Sequence, residues 1–185
     1  EISATLAFSA LQNNDKVGLL LFSNQVELYI PPKKGKSHIL RIIRELLEFS
    51  PLNKLTNINI SLEFLSGILK KKSIVFILSD FMDDKYEKTL SIMAKKHDLT
   101  GIRVFDPKDE SIPNLGLIQI NDSETGEFKW INTQSSSVRK AYSNHYYKNV
   151  SFFENIFKKN GAGILSCRVD ESYVKKLLNF FNSRG

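Results

Sequence analysis

A doubly wound, mostly parallel α/β sheet is the fold class that this sequence predicts, and three observations predict it. Short, wholly apolar runs recur at residues 17–22 and 74–78. Such runs, bounded by turn residues, mark strands buried on both faces. Stretches with apolar residues at i, i+3, i+4 and i+7 separate them, which is the spacing of one helical face. Strands and helices in alternation build a sheet with helices on both sides, three layers in all.

The totals agree with one domain. The chain has 185 residues, of which 42% are apolar. Domains run to about 100–200 residues, and a chain of this size buries roughly 70% of its unfolded surface. Residues 1–185 are therefore expected to form a single domain. No apolar run approaches the roughly 20 residues of a membrane-spanning helix, and no signal peptide is recognisable. Cys167 is the one cysteine. It forms neither an intrachain disulfide nor a cysteine zinc site, and it reads as a small core residue in a cytoplasmic protein. The net charge of +6 is scattered. Lys33, Lys34 and Lys36 share a turn, and Lys70–Lys72, Lys95, Lys96, Lys158 and Lys159 sit at helix ends, where the helix dipole favours cations.

Each element follows in order. Residues 5–11 read as the end of a helix, stopped by 12–15. Residues 17–23 are a buried strand, Asn24-Gln25 a tight turn, and 26–30 a second strand that Pro31-Pro32 ends, since proline donates nothing to a ladder. Ser37 is expected to cap a helix whose face is Ile39, Ile42, Ile43, Leu46 and Leu47, broken at Ser50-Pro51. Ile58, Leu62, Leu65 and Leu69 mark the next helix. Residues 73–79 form a strand ending at Asp80. Tyr86, Leu90, Met93 and His97 line a further helix, and 100–105 a strand closed by Asp106-Pro107. Residues 117–120 and 128–131 flank a polar, Gly-containing loop and read as a hairpin. A long helix over 135–159, broken near Asn149, leads through Gly161-Ala162-Gly163 into a strand at 164–169. Tyr173, Val174, Leu177, Leu178 and Phe181 mark the last helix.

In such sheets ligands bind beyond the carboxyl ends of the strands. Several motifs drop out. Gly35-Lys36-Ser37 lacks the first P-loop glycine, because Ile30 stands there. Gly161-Ala162-Gly163 enters a strand instead of leaving one, and no G-x-S-x-G elbow is present. His38, His97 and His145 lack metal-ligand spacing. Asn59-Ile60-Ser61, Asn121-Asp122-Ser123 and Asn149-Val150-Ser151 match the glycosylation pattern by chance. Two places remain. Ser79-Asp80-Phe81-Met82-Asp83-Asp84 follows a buried strand and offers a hard oxygen donor for Mg²⁺, Mn²⁺ or Ca²⁺; Asp80 otherwise caps a turn or the next helix. Leu55-Thr56-Asn57-Ile58-Asn59 precedes a helix, where Asn57 or Asn59 otherwise serves as an N-cap.

Asp15-Lys16-Val17-Gly18-Leu19-Leu20-Leu21-Phe22-Ser23, Thr56-Asn57-Ile58 and Ser79-Asp80 together resemble the von Willebrand factor A fold. Its metal-ion-dependent adhesion site combines an Asp-x-Ser-x-Ser run after the first strand, a Thr from a later loop and an Asp after the fourth strand. Thr56 and Asp80 match the second and third as metal ligands. Pro31-Pro32-Lys33-Lys34-Gly35, Asp106-Pro107-Lys108-Asp109-Glu110, Ile112-Pro113-Asn114-Leu115-Gly116 and Asp122-Ser123-Glu124-Thr125-Gly126 resemble the bacterial "domain of unknown function fifty-eight" family. That resemblance implies a von Willebrand A-like binding or assembly module partnered with a MoxR-type AAA+ ATPase. It also implies a first strand and an Asp-x-Ser-x-Ser segment before Glu1, so the domain is expected to be incomplete at its N-terminus. The missing strand would lie between 17–22 and 73–79. Those two strands are expected to pair directly, to accept a strand from another chain, or to sit in a rearranged sheet.

The function expected is thus a non-enzymatic protein-binding module that takes Mg²⁺ or Mn²⁺ in the intact protein and little or none in this chain. The alternatives are a metal-dependent hydrolase using Asp80 with Asp83 or Asp84, and a nucleic-acid binder driven by the +6 charge.

Overall fold

The computed structural model describes residues 1–53, 55–121 and 128–183. The element order is α1 (Ile2–Gln12), β1 (Val17–Phe22), β2 (Val26–Lys33), α2 (Lys36–Glu48), α3 (Ile58–Ile68), β3 (Ile74–Ser79) and α4 (Glu87–Lys96). It continues with β4 (Asp98–Phe105), a 3-10 turn (Pro107–Glu110), β5 (Leu117–Asn121), β6 (Phe128–Asn132), α5 (Ser136–Lys159), β7 (Gly163–Arg168) and α6 (Tyr173–Asn182). The architecture is α/β. β3, β4 and β7 form a parallel sheet in that order, while β1–β2 and β5–β6 are separate antiparallel pairs. The loop at 122–127 between β5 and β6 lies outside the described residues. No helix among those described is long and apolar enough to cross a membrane.

β4 is central in the parallel sheet, and its side chains alternate between two cores. Leu99 joins Val75 and Ile77 of β3 beneath α3, α4 and α5, where Leu62, Leu90, Met93, Phe153 and Phe157 close over them. Ile102 faces the opposite way, with Leu165 and Cys167 of β7, Ile2 of α1 and Leu177 of α6. Helices thus cover both faces, as an apolar parallel sheet requires. A third core joins Ala7 of α1, Ile30 of β2 and Ile39 and Ile42 of α2.

Two helices hold the β1–β2 pair against the parallel sheet. Leu6 of α1 packs in the core of the parallel sheet, whereas Leu11 packs with Leu19 and Ile30. α3 contributes Ile58 and Leu62 to the core under β3, and its Phe64 ring meets Tyr29 of β2 edge-on at 5.3 Å. Direct pairing of β1 with β3, one of the three expected outcomes, does not form. Each has one ladder partner, β2 and β4 respectively, and among the described residues no strand lies along the other edge of either.

Four local expectations are corrected. β2 runs through Pro31 and Pro32 to Lys33, with a register shift opposite Gly18. This is compatible with proline because β2 is an edge strand. No side chain caps α2; Gly35 enters it with φ 106°, a conformation suited to glycine. Leu47 is exposed, so the buried stripe of α2 ends at Leu46. α5 is unbroken across Asn149, whose side chain is buried and donates to His145 Nε2 and Met82 Sδ.

Gly101 lets α5 approach β4. A Cβ built there would stand 2.6 Å from both Phe153 Cε2 and Phe157 Cε1. Gly101→Ala therefore overpacks the core and is expected to lower stability by about 1–3 kcal/mol, read as a lower urea midpoint. His97 supplies a pH signature. Its ring is buried and neither nitrogen has a hydrogen-bond partner; burial, then the charge of Lys96, lowers its pKa from 6.5. The unfolded chain takes up the proton more readily, so this contribution to stability is present above 6.5 and is lost as pH falls toward the lower folded value. Urea melts across about pH 5–8 are expected to show that loss, and His97→Gln to flatten it.

Candidate functional site

The carboxyl ends of β1 and β3 are tied together through the start of α3. Ser23, directly after β1, is buried and donates its hydroxyl to Glu27 Oε1 at 2.5 Å. That hydrogen bond is the main reason the Glu27 carboxyl is held below its usual range; desolvation opposes it, and the Leu52 and Asn53 amides add to it. The Ser23 carbonyl accepts from the Asn57 amide at 3.0 Å. The next amide, that of Ile58, donates to Asp83 Oδ2 at 2.9 Å. Two consecutive residues thus link the β1 turn to the loop after β3. Asn57 also caps α3, accepting from the Ile60 amide at 3.2 Å.

The loop after β3 is held from below by Phe81. Its ring is fully buried, stacked on Phe153 at 4.1 Å and edge-on to Phe157 at 5.4 Å. Its φ of 58° is a strained value for a bulky residue and marks a sharp bend after β3. Asp80 is exposed beside this bend; its Oδ1 accepts from the Met82 amide and the Ser79 hydroxyl, each at 3.2 Å. The turn-capping role of Asp80 is therefore the one its contacts describe. Asp83 is more engaged, because its second oxygen accepts from the Lys85 amide at 3.0 Å. Tyr86 lies underneath with its hydroxyl buried and unpartnered. Burial raises its pKa well above the ordinary value, and Asp83 and Asp84 add to the effect.

A small cleft of about 270 Å³ opens here, lined by Thr56, Asn57, Met82, Asp83, Asp84 and Lys85. Thr56 therefore shares the cleft with Asp83 and Asp84, and Asp80 is not among its lining residues. Among the described residues no three of His, Cys, Asp and Glu converge as a metal site would require. Thr56 and Asp80 offer one hydroxyl and one carboxylate, too few oxygens for the near-octahedral shell of Mg²⁺. Sequence reasoning located the two loops and the Asn57 cap. It missed Ser23 and the Asp83–Ile58 bond, whose partners are 25 residues apart and carry no local signature.

Residues 1–151 match the profile of the family described as "Protein of unknown function DUF58". The chain belongs to the DUF58 family. DUF58 relatives include Uncharacterized protein Rv1480 of Mycobacterium tuberculosis and Uncharacterized protein Mb1516 of Mycobacterium bovis. Each is 20% identical over 185 residues, covering 98% of this chain and 58% of the relative. Uncharacterized protein MAV169 of Mycobacterium avium is 25% identical over 116 residues, covering 62% of this chain and 68% of the relative. The chain thus spans 58% of the length of the first two. No solved structure matches it.

The contacts rank the two aspartates. Asp83→Ala removes the acceptor for the buried Ile58 amide and is expected to cost about 1–2 kcal/mol, a Tm drop of several degrees. Asp80→Ala, at an exposed turn, is expected to cost less than half as much. Thermal melts of the two variants side by side check the order.

Proposed function

We propose that this DUF58 chain is a von Willebrand factor A-like protein-binding or assembly module, and that its catalytic role is nil. The observation that carries this reading is the joining of the β1 and β3 carboxyl ends through Asn57 and Ile58, beside two strand edges without ladder partners. Unpaired backbone groups in a covered sheet are costly, and α1 and α3 pack on both sheets. A further strand, running between β1 and β3, would satisfy both edges. Its carboxyl end would emerge beside Thr56 and Asp80.

In that arrangement Thr56 and Asp80 are two of the oxygen ligands of a Mg²⁺ or Mn²⁺ adhesion site. The added strand brings the Asp-x-Ser-x-Ser segment, and an acidic residue of the partner completes the shell. The partner that the family resemblance implies is a MoxR-type AAA+ ATPase, met in the cytoplasm. The engagement of both Asp83 oxygens by backbone amides speaks for a scaffold at this loop and against a free acid or base.

Titration calorimetry tests the proposal. Mg²⁺ or Mn²⁺ added to this chain is expected to give no heat beyond dilution. A longer form carrying the extra strand is expected to bind Mn²⁺ and to capture the ATPase in its presence, with both properties lost in Asp80→Ala and weakened in Thr56→Ala. Hydrogen exchange at β1 and β3 is expected to slow in the longer form. Capture insensitive to Mn²⁺ and to both substitutions would sink the proposal.

A further inference from the structure

Away from this cleft, a cation is buried with no anion paired to it among the described residues. Arg103, on the central strand β4, is only 3% exposed. Its backbone neighbours in the parallel ladder are Ser79 on one side and Ser166 on the other. The guanidinium lies 4.0 Å from the centre of the Phe105 ring and 5.1 Å from that of Tyr146. One terminal nitrogen donates to the Tyr146 hydroxyl, and Nε is buried with no partner. None of the ion pairs among the described residues involves Arg103.

Buried charges are ordinarily paired, because an isolated one loses its hydration with nothing in return. Cation–π contact recovers only part of what burial of an ion costs. Tyr146 does not supply the missing charge. Its hydroxyl already accepts from Arg103, and its own hydrogen has no acceptor among the described residues. Tyr146 is itself 6% exposed. The arrangement therefore brings together a guanidinium and a phenol that both have hydrogen left to donate, at the carboxyl end of a parallel strand, where such sheets take ligands. β4 becomes only partly buried at Val104 and Phe105, directly after Arg103.

We infer that Arg103 and Tyr146 form a receptor for a single oxyanion group, a carboxylate or a phosphate, entering past the carboxyl end of β4. Guanidinium is the side chain best matched to either group, because its fork donates two parallel hydrogen bonds. The inference is independent of the adhesion-site proposal, since it uses neither Thr56 nor Asp80.

The test uses this chain with inorganic phosphate and acetate as probes, and chloride at matched ionic strength as the reference. One anion is expected to raise the urea midpoint saturably and to shift the Arg103 Nε–H resonance. Stabilisation by phosphate alone assigns a phosphoryl ligand, and by acetate alone a carboxylate. Tyr146→Phe is expected to weaken the effect about tenfold. Arg103→Met is expected to abolish it and, in chloride, to be at least as stable as the parent. The inference is overturned if neither anion moves the resonance or the midpoint beyond chloride. It is equally overturned if Arg103→Met folds but is clearly destabilised in chloride, which would mean that the chain's own carboxylates, Asp106 or Glu110, already compensate the charge. The resonance shift in the unaltered chain decides the matter even if Arg103→Met does not fold.

Discussion

Close approach of α5 to β4 is the constraint from which much of the architecture follows. It exists because Gly101 presents no side chain where Phe153 and Phe157 press on the strand. The two rings are 4.8 Å apart, and Phe81 joins them from the loop after β3. One aromatic cluster therefore fixes three things: the height of α5 over the sheet, the separation of β3 from that helix, and the bend that leads into Asp83. Phe81 accepts a left-handed backbone because the buried stacking of its ring outweighs the cost of the strained angle, about 1–3 kcal/mol, against the roughly 3–5 kcal/mol of a buried phenylalanine.

The same bend explains how β1–β2 and β3–β4–β7 stay together without a shared ladder. Hydrophobic contact through α1 and α3 is non-directional and holds the two sheets together. Orientation comes from hydrogen bonds at the carboxyl ends of β1 and β3, from the Asn57 amide to the Ser23 carbonyl and from the Ile58 amide to Asp83. Because Ile58 is fully buried, its amide must find an acceptor inside the fold. Asp83 meets that need and is thereby fixed in place, while Asp80, one bend earlier, remains exposed. Position along the chain and availability for chemistry are thus set by different residues of the same short loop.

Strand and helix identity was legible because it rests on periodicity. The wholly apolar runs became β1 and β3, the Tyr86-Leu90-Met93-His97 face is buried, and the hairpin pairs in register. What failed depended on backbone angles and packing that periodicity does not encode. Pro31 and Pro32 read as a stop, yet the register shift opposite Gly18 leaves both of them without a ladder partner. Ser37 read as a cap, yet Gly35 reaches the helix entry first through a backbone angle that suits it. Asn149 read as a helix break, yet His145 one turn back and Met82 across the fold accept from its amide within an unbroken helix. The pairing of Thr56 with Asp83 and Asp84 around one cleft was equally out of reach, since spacing gives the loops and not their separation.

Arg103 shows the same limit from the other side. Between Ile102 and Val104 it looks like the polar half of an alternating strand, and alternation ordinarily means that the polar residue meets water. β4 is the central strand, however, and helices cover both its faces, so that half has no water to meet. The polar position is left to be resolved by something other than solvent: the rings of Phe105 and Tyr146, the Tyr146 hydroxyl, and a direction still without an acceptor among the described residues. A residue whose type obeys the pattern while its surroundings defy the pattern's physical reason cannot be found by reading periodicity. It becomes visible only when each buried hydrogen-bonding group is asked where its partner is.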